Sequence, residues 1–313
     1  MTATGLALEP GTLWSKLTER MRHALQCGAL QPIPTNCELV EQGGVHFVVR
    51  ILANVARKAQ ARQTQEREAA AGKTFNPFLP YDPDLFVADI SATHVCLLNK
   101  FNVVDRHLLI VTRAFEDQET LLTWEDCAAL RACMRECDGL GFYNGGTEAG
   151  ASQPHKHLQL VPLPLAPVGP RLPIEPLIAQ AHYEGPVGVA PGLPFVHALA
   201  RLDDVWTMPP EQAAGLLLER YRLLLRAVGL RGEAGAGGVR QSGPYNLLVT
   251  RPWLLFVPRS REGFQGISVN ALGFAGALLV RHEEQLQILK QAGPMTVLNN
   301  VAVVKQPSHD TGE

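Results

Sequence analysis

Cysteine is scarce in this chain: Cys27, Cys37, Cys96, Cys127, Cys133 and Cys137 are all there is in 313 residues, and no two form a C-x-x-C pair. Zinc held by cysteine thiolates is therefore not expected. Cys133 and Cys137 lie four apart on a predicted helix, a spacing that suits a packed thiol face. Long apolar runs are also missing. The longest, Ala271 to Val280, is too short and too glycine-rich to span a bilayer. The opening MTATGLALEP has no basic segment followed by an apolar one, so no secretion signal is read and a cytoplasmic protein with reduced thiols is expected. Neither sign of charge dominates: 28 Lys and Arg face 30 Asp and Glu, a net charge of -2. A nucleic-acid partner would require a positive footprint that this balance does not supply.

What is present is the composition of a globular protein, 46% hydrophobic and 19% charged. This length can bury one large core or two modest ones. Helical spacing is read over Leu13–Leu25 and Thr123–Leu140, and over His46–Gln65, apolar at Phe47, Val48, Ile51, Leu52 and Val55. Arg50, Arg57, Lys58, Arg62, Arg67 and Lys73 make that region basic. Gly72-Lys73-Thr74 resembles the end of a phosphate-binding P-loop, but the required first glycine would fall on Arg67, so the motif fails. Strands are expected over His94–Leu98, His107–Thr112, Tyr245–Thr250 and Trp253–Pro258. The stretch from Pro162 to Pro210 is dense in proline and reads as a long crossover. A helix over Pro210–Val228, a flexible Gly/Ala segment over Gly232–Gly238 and a closing helix over Ala271–Lys290 are also expected. Leu108-Leu109-Ile110-Val111-Thr112-Arg113 is echoed by Leu254-Leu255-Phe256-Val257-Pro258-Arg259, which suggests two related halves.

The chemistry concentrates between Asn144 and Gln159. His155, His157 and Gln159 alternate, so on a strand they share one face, while Leu158 and Leu160 point into a core. Such alternation is also what the wet side of an ordinary strand shows. The preceding residues add a second signal. Asn144-Gly145-Gly146 and Gly150-Ala151-Ser152-Gln153 form a turn of small residues whose backbone N–H groups, with the Ser152 hydroxyl and the Gln153 amide, could cradle a phosphate chain. One imidazole could then act as a nucleophile.

The run N-x-G-x-x-A-G-A-S-Q-x-H-x-H-x-Q, here Asn144 to Gln159, resembles the signature of the diadenosine tetraphosphate (Ap4A) phosphorylases, also called ATP adenylyltransferases, within the histidine-triad superfamily. The resemblance extends through Asn76-Pro77-Phe78-Leu79, Leu97 to Val104, Pro244 to Leu248 and Val257 to Ser260, and so spans about residues 45–300. It implies an α+β fold in which an antiparallel sheet is flanked by helices. The chain is expected to be a single nucleotidyltransferase domain, with halves at approximately 1–161, holding the motif, and 195–300, joined by the Pro-rich crossover.

The resemblance also implies a reaction. His157, the middle histidine, attacks the α-phosphorus, and phosphate resolves the adenylyl-histidine to release ADP. Gln159 stands where the hydrolase branch has a third histidine. An amide can hold a phosphoryl oxygen but cannot donate a proton and regenerate. The leaving group, a phosphate ester with a terminal pKa near ~6, needs little acid assistance. His155 is assigned to the catalytic group beside His157. Asn144, Gly145, Gly146, Ser152, Gln153 and Gln159 are expected along the phosphates, Lys58 and Lys100 at the polyphosphate, and Asn76 and Leu79 at the nucleoside. No metal or cofactor held by protein ligands is expected; a divalent cation such as Mg2+ would arrive with the substrate. The ligands implied are Ap4A, ADP, ATP and inorganic phosphate, with no membrane or nucleic-acid partner. Adenylyl sulfate as donor is an alternative that would use the same nucleophile. A hydrolase would instead yield AMP despite abundant phosphate, and a non-catalytic nucleotide-binding regulator would leave its ligand unaltered. The related galactose-1-phosphate uridylyltransferases have H-P-H-x-Q; Lys156 in place of that proline, and the missing cysteine pair, argue against a sugar substrate.

Overall fold

The structure, a computed structural model, describes residues 5–53, 76–166, 168–235 and 237–305. A glycine pair sets the first local departure from the sequence reading. Gly43 and Gly44 both take positive φ, +59° and +78°, the geometry of a tight hairpin turn. They join β1 (Thr35–Gln42) to β2 (Val45–Leu52), paired antiparallel from Gln42↔Val45 outward. The expected helix over His46–Gln65 is thus a strand as far as Leu52, and its continuation from residue 54 lies outside the described residues. Val45, Phe47 and Val49 are fully buried. Their alternation, together with β-branching and the Gly-Gly turn, outweighs a helical spacing that Phe47, Val48, Ile51 and Leu52 also satisfy.

Among the described residues the main element is an antiparallel sheet of ten strands in the order β3-β4-β5-β7-β6-β13-β14-β10-β9-β8. Its first half consists of β3 (Phe86–Asp89), β4 (His94–Leu98), β5 (Leu108–Thr112), helix α2 (Trp124–Glu136), β6 (Gly139–Gly145) and β7 (His157–Pro162). The stretch from Pro162 to Pro210, expected to be a crossover, holds the short helix α3 (Glu175–Ile178), β8 (His182–Glu184), β9 (Val187–Val189) and β10 (Ala198–Arg201). Helix α4 (Pro210–Ala227) follows, then the hairpin β11 (Gly232–Gly235) and β12 (Gly238–Gln241) in the segment expected to be flexible, then β13 (Tyr245–Val249) and β14 (Trp253–Pro258). Both sides of the sheet therefore use one plan: three strands, a helix, two strands, with β6 and β13 paired antiparallel at the centre. By sheet position β5 corresponds to β10, and β7 to β14. The echo between Leu108–Arg113 and Leu254–Arg259 joins non-equivalent strands and reflects shared apolar composition.

β4, β5, β6, β13 and β14 are buried along their whole length because both faces of the sheet are covered. On one face, helix α1 (Leu13–Cys27), α2 and α4 pack over a core that includes Leu158, Leu160, Tyr143, Tyr245 and Phe256. Thr123 caps α2 through a reciprocal capping box with Asp126, which fixes the start of that helix. On the other face lie β1, β2 and β17 (Ala277–Val280), with α5 (Ala271–Phe274), α6 (Glu283–Ala292) and α7 (Pro294–Val301). Two-residue strands β15 (Gly263–Phe264) and β16 (Ile267–Ser268) make a small hairpin before them. The closing helix expected over Ala271–Lys290 is broken by β17, which pairs parallel with β2. Gly276 makes the break at φ +92°, where a Cβ would lie 2.5 Å from the Pro173 Cβ.

Candidate active site

Strand β7 carries the motif. In register, His157 lies opposite Val111 and Gln159 opposite Leu109. Val111 and Leu109 belong with Phe78, Val95 and Leu97 to a small apolar cluster, so the polar pair of β7 projects beside an apolar shelf. Leu158 and Leu160 point the other way into the helix-covered core, as the alternation requires. The Phe78 ring lies 5.3 Å from the His157 ring and 5.5 Å from the His155 ring. His155 itself precedes the strand, in an isolated bridge to Asp117.

The His157 imidazole is 5% exposed and its Nδ1–H donates to the His155 carbonyl oxygen at 2.8 Å. Nδ1 therefore carries the proton, and Nε2 keeps its lone pair. Burial pushes the pKa of this ring down to about 4, so it is neutral near pH 7. A neutral imidazole with one nitrogen pinned and the other free is the form a nucleophile needs. The strand behind it is held by Gln118, which the sequence reading did not single out. The Gln118 Oε1 accepts the His157 backbone N–H at 2.8 Å, while its Nε2 donates to the Asn144 carbonyl at 2.9 Å and the His157 carbonyl at 3.3 Å.

His155 is fully buried and both ring nitrogens are occupied. Its Nε2–H donates to the Thr112 carbonyl at 2.8 Å, and its Nδ1 accepts from Asn76 Nδ2 at 2.9 Å. Burial lowers its pKa. His155, assigned to the catalytic group from sequence, has its ring on Asn76 and Thr112 and its carbonyl on His157. Asn76, expected at the nucleoside, is the partner of His155, and Leu79 is 41% exposed beyond it.

Between the two imidazoles, Lys156 turns into the opposite side of the sheet, where it is fully buried. Its Nζ reaches Asp126 Oδ2 at 2.7 Å, Glu116 Oε2 at 3.1 Å and the Leu121 carbonyl at 3.0 Å. The His94 Nε2 donates to Asp126 Oδ1 at 3.0 Å. Burial alone would raise the Asp126 carboxyl, but the His94 hydrogen bond and the Lys156 charge outweigh it and hold the carboxyl at about 2. This cluster, buried except at Glu116, anchors Lys156 between the two histidines.

Several residues expected along the phosphates have other work. Asn144 is 2% exposed, and its Oδ1 accepts from Asn246 Nδ2 and from the Ala271 N–H, both at 2.9 Å. Asn246 in turn accepts from the buried Arg259 at 2.6 Å. Gly145 and Gly146 are buried. Gln241 Nε2 donates to the Gly145 carbonyl at 2.7 Å, and the N–H groups of Gly146, Ala149, Gly150 and Ala151 bond to carbonyls within the turn. These four N–H groups are spent inside the turn that joins β6 to β7. Ser152 is exposed and Gln153 half-buried on the rim leading to His155. Lys100, half-buried, lies in the β4–β5 loop with its Nζ 5.8 Å from the Phe101 ring centre. Lys58 lies outside the described residues.

His107 is a further buried imidazole, one that sequence order alone left in a strand. Its Nε2 lies 2.9 Å from Gln159 Oε1 and its Nδ1 3.2 Å from Asn99 Nδ2. Among the described residues one trio, His23, Cys27 and Asp84, brings its ligand atoms within 4.8 Å of one another and could hold a metal ion. It lies on α1 and the turn before β3, away from β7.

The family model for the Ap4A phosphorylase N-terminal domain matches residues 3–180, and that for the ATP adenylyltransferase C-terminal domain matches 191–304. The chain belongs to the Ap4A phosphorylase family. This family member is a nucleotidyltransferase. It is 26% identical over 273 residues, 80% of this chain and 81% of the relative, to diadenosine 5',5'''-P1,P4-tetraphosphate phosphorylase 2 of Saccharomyces cerevisiae. In fold it is similar to the crystal structure of yeast Ap4A phosphorylase Apa2, with TM-score 0.75 at 22% identity, covering 97% of this chain and 98% of that one. A structure of the yeast enzyme in complex with Ap4A gives TM-score 0.71 at 21% identity, covering 96% and 100%. Among the described residues of this family member, no helix is long and apolar enough to cross a membrane.

Proposed function

We propose that the protein phosphorolyses Ap4A to ATP and ADP through an adenylyl group carried on His157. The observation that carries this reading is the fixed tautomer of His157, with Nδ1–H on the His155 carbonyl and an unprotonated Nε2 that has no partner among the described residues. In the first step the Nε2 lone pair bonds to the α-phosphorus, and the bond from that phosphorus to its bridging oxygen breaks, releasing ATP. The ring becomes cationic as it gains the phosphoryl group, and the Nδ1–H donated to a carbonyl strengthens accordingly. In the second step a phosphate oxygen attacks the same phosphorus and the imidazole leaves neutral, giving ADP. No proton is needed by either leaving group, which suits an amide at Gln159.

Membership of the family and the activity for which the yeast relative is named favour Ap4A over adenylyl sulfate as donor. On this reading any divalent ion enters with the polyphosphate rather than on protein ligands. Six free cysteines, Cys96, Cys127 and Cys133 among them buried, support a reducing compartment such as the cytoplasm. The test is to mix the protein with Ap4A labelled in an α-phosphate, without phosphate, and to map the label. Label on residue 157, chased into ADP by added phosphate and absent in His157→Ala, is the expected result. Equal turnover by His157→Ala would overturn the reading.

A further inference from the structure

Gln159 is a primary amide, and its two ends are opposite in kind: one oxygen that accepts and one nitrogen that donates. Which end meets the polyphosphate decides whether it holds an anionic oxygen or repels it. A chain of hydrogen bonds running away from the site fixes that choice. It starts at the backbone N–H of Phe101, which can only donate and reaches Asn99 Oδ1 at 3.3 Å. The Asn99 oxygen being so used, its Nδ2 is the end that faces His107 Nδ1 at 3.2 Å. A ring nitrogen that accepts carries no proton, so the proton of a neutral imidazole is on Nε2. That Nε2–H lies 2.9 Å from Gln159, where its partner must be the acceptor Oε1. The Gln159 NH2 is left facing away from His107.

The ring of His107 has no freedom to change this pattern. It is 6% exposed and packs 5.7 Å from the Phe142 ring. Burial pushes its pKa down to about 4, so the doubly protonated form does not compete near neutral pH. The Asn99 N–H donates to the His107 carbonyl at 3.0 Å, which closes the β4–β5 loop and keeps the two side chains in step.

We infer that His107 and Asn99 are positioning residues for phosphoryl transfer: they lock Gln159 with its amide NH2 toward the α-phosphate carried by His157. Neither residue touches the substrate. Gln159 does the touching, and the pair sets its polarity. The inference rests on the reading of His157 as the adenylylated residue.

The test measures the single-turnover rate of adenylyl-protein formation from Ap4A, together with nucleotide Kd and the thermal midpoint. His107→Phe removes the donor and should slow the chemical step about tenfold or more, since a lost donor to a developing phosphoryl charge commonly costs at least that, with a smaller change in Kd. His107→Gln restores the same polarity, accepting from Asn99 and donating to Gln159, and should recover most of the rate. The deciding measurement is the double variant. In a Gln159→Ala background, His107→Phe should produce no further slowing, because its effect runs through the amide. If the two factors multiply, His107 acts only by packing and the inference is overturned. Should His107→Phe fail to fold, Asn99→Ala tests the same chain from one step further out, with slowing in the wild-type background and none beside Gln159→Ala. Nitrogen-15 shifts of the His107 ring supply a readout that packing would not move, and an Nδ1–H tautomer there would also overturn it. Failure of the underlying reading is distinct: the wild-type protein itself would then show no adenylyl group on His157.

Discussion

The Nδ1–H of His157 is bonded to the carbonyl oxygen of His155 at 2.8 Å, so these two histidines communicate through a backbone group and not ring to ring. The ring of His155 is held elsewhere, between Asn76 and Thr112. Replacing the His155 ring therefore acts on His157 by moving its carbonyl partner. His155→Asn should fold and bind nucleotide while losing about 10- to 100-fold in the rate of adenylyl transfer, the usual consequence of a nucleophile displaced by a fraction of an ångström. A variant with wild-type rate would show that the carbonyl is held without the ring.

The pH profile separates a buried nucleophile from an exposed one. With its pKa pushed down by burial to about 4, His157 stays unprotonated far below the ordinary value of 6.5. Burst formation of the adenylyl-protein from Ap4A should be level from pH 8 to about 5. A fall centred near 6.5 would mean that the ring titrates as if in water.

The same burial makes the fold sensitive to acid. His107, His157 and His197 each have pKa values lowered by burial to about 4, from an ordinary 6.5. The unfolded chain thus binds protons that the folded one refuses. Stability should be complete above pH 6.5 and fall as pH drops from 6.5 toward 4, with protons taken up on unfolding by these three rings and by His155, whose pKa burial also lowers. His197 accepts the Ala190 N–H at 2.9 Å, a bond lost on protonation. Urea midpoints measured from pH 7.5 to 5 should fall, and His197→Phe should flatten that slope by about one proton. A midpoint independent of pH would contradict this.

Lys156 should matter for stability although its neighbours carry the chemistry. Lys156→Met leaves Asp126, 1% exposed in its side chain, as a buried carboxylate without its nearest cation. Removing one partner of such a pair costs about 3–5 kcal/mol. Equilibrium urea unfolding measures it, and a loss below about 1 kcal/mol would show that His94 alone suffices to hold Asp126.

Gly150 closes the turn between β6 and β7 at φ +87°, and a Cβ there would meet the Asn270 Cβ at 2.8 Å and the Val269 carbonyl at 2.9 Å. Both contacts are with backbone or near-backbone atoms that cannot swing aside. Gly150→Ala should therefore destabilise by about 1–3 kcal/mol or more, read as a lower thermal midpoint. An unchanged midpoint would mean that the turn can open.

The strand that carries His157 and Gln159 and the strands beside it were legible in order alone. Alternation at His155, His157 and Gln159 placed polar groups and the leucines Leu158 and Leu160 on opposite faces, because side-chain direction in a strand follows period two. The helical spacing after Thr123 and the apolar runs at β4, β5, β13 and β14 were equally local. The Gly43-Gly44 hairpin was also written in the sequence, but a helical spacing in the next residues competed with it and masked it.

What order could not supply was the set of partners. Gln118 meets His157 from 39 residues away, Asn246 meets Asn144 from 102, and His107 meets Gln159 from 52. Each bond forms only when distant segments, a turn and a loop among them, are brought together beside one buried sheet, and no local spacing encodes that. The sequence by itself determined that an imidazole and an amide stand on one face of a strand; periodicity is a property of the backbone. The tertiary structure decided which nitrogen keeps its lone pair and which end of the amide faces outward. Those depend on donors and acceptors meeting in a place where water cannot substitute for them.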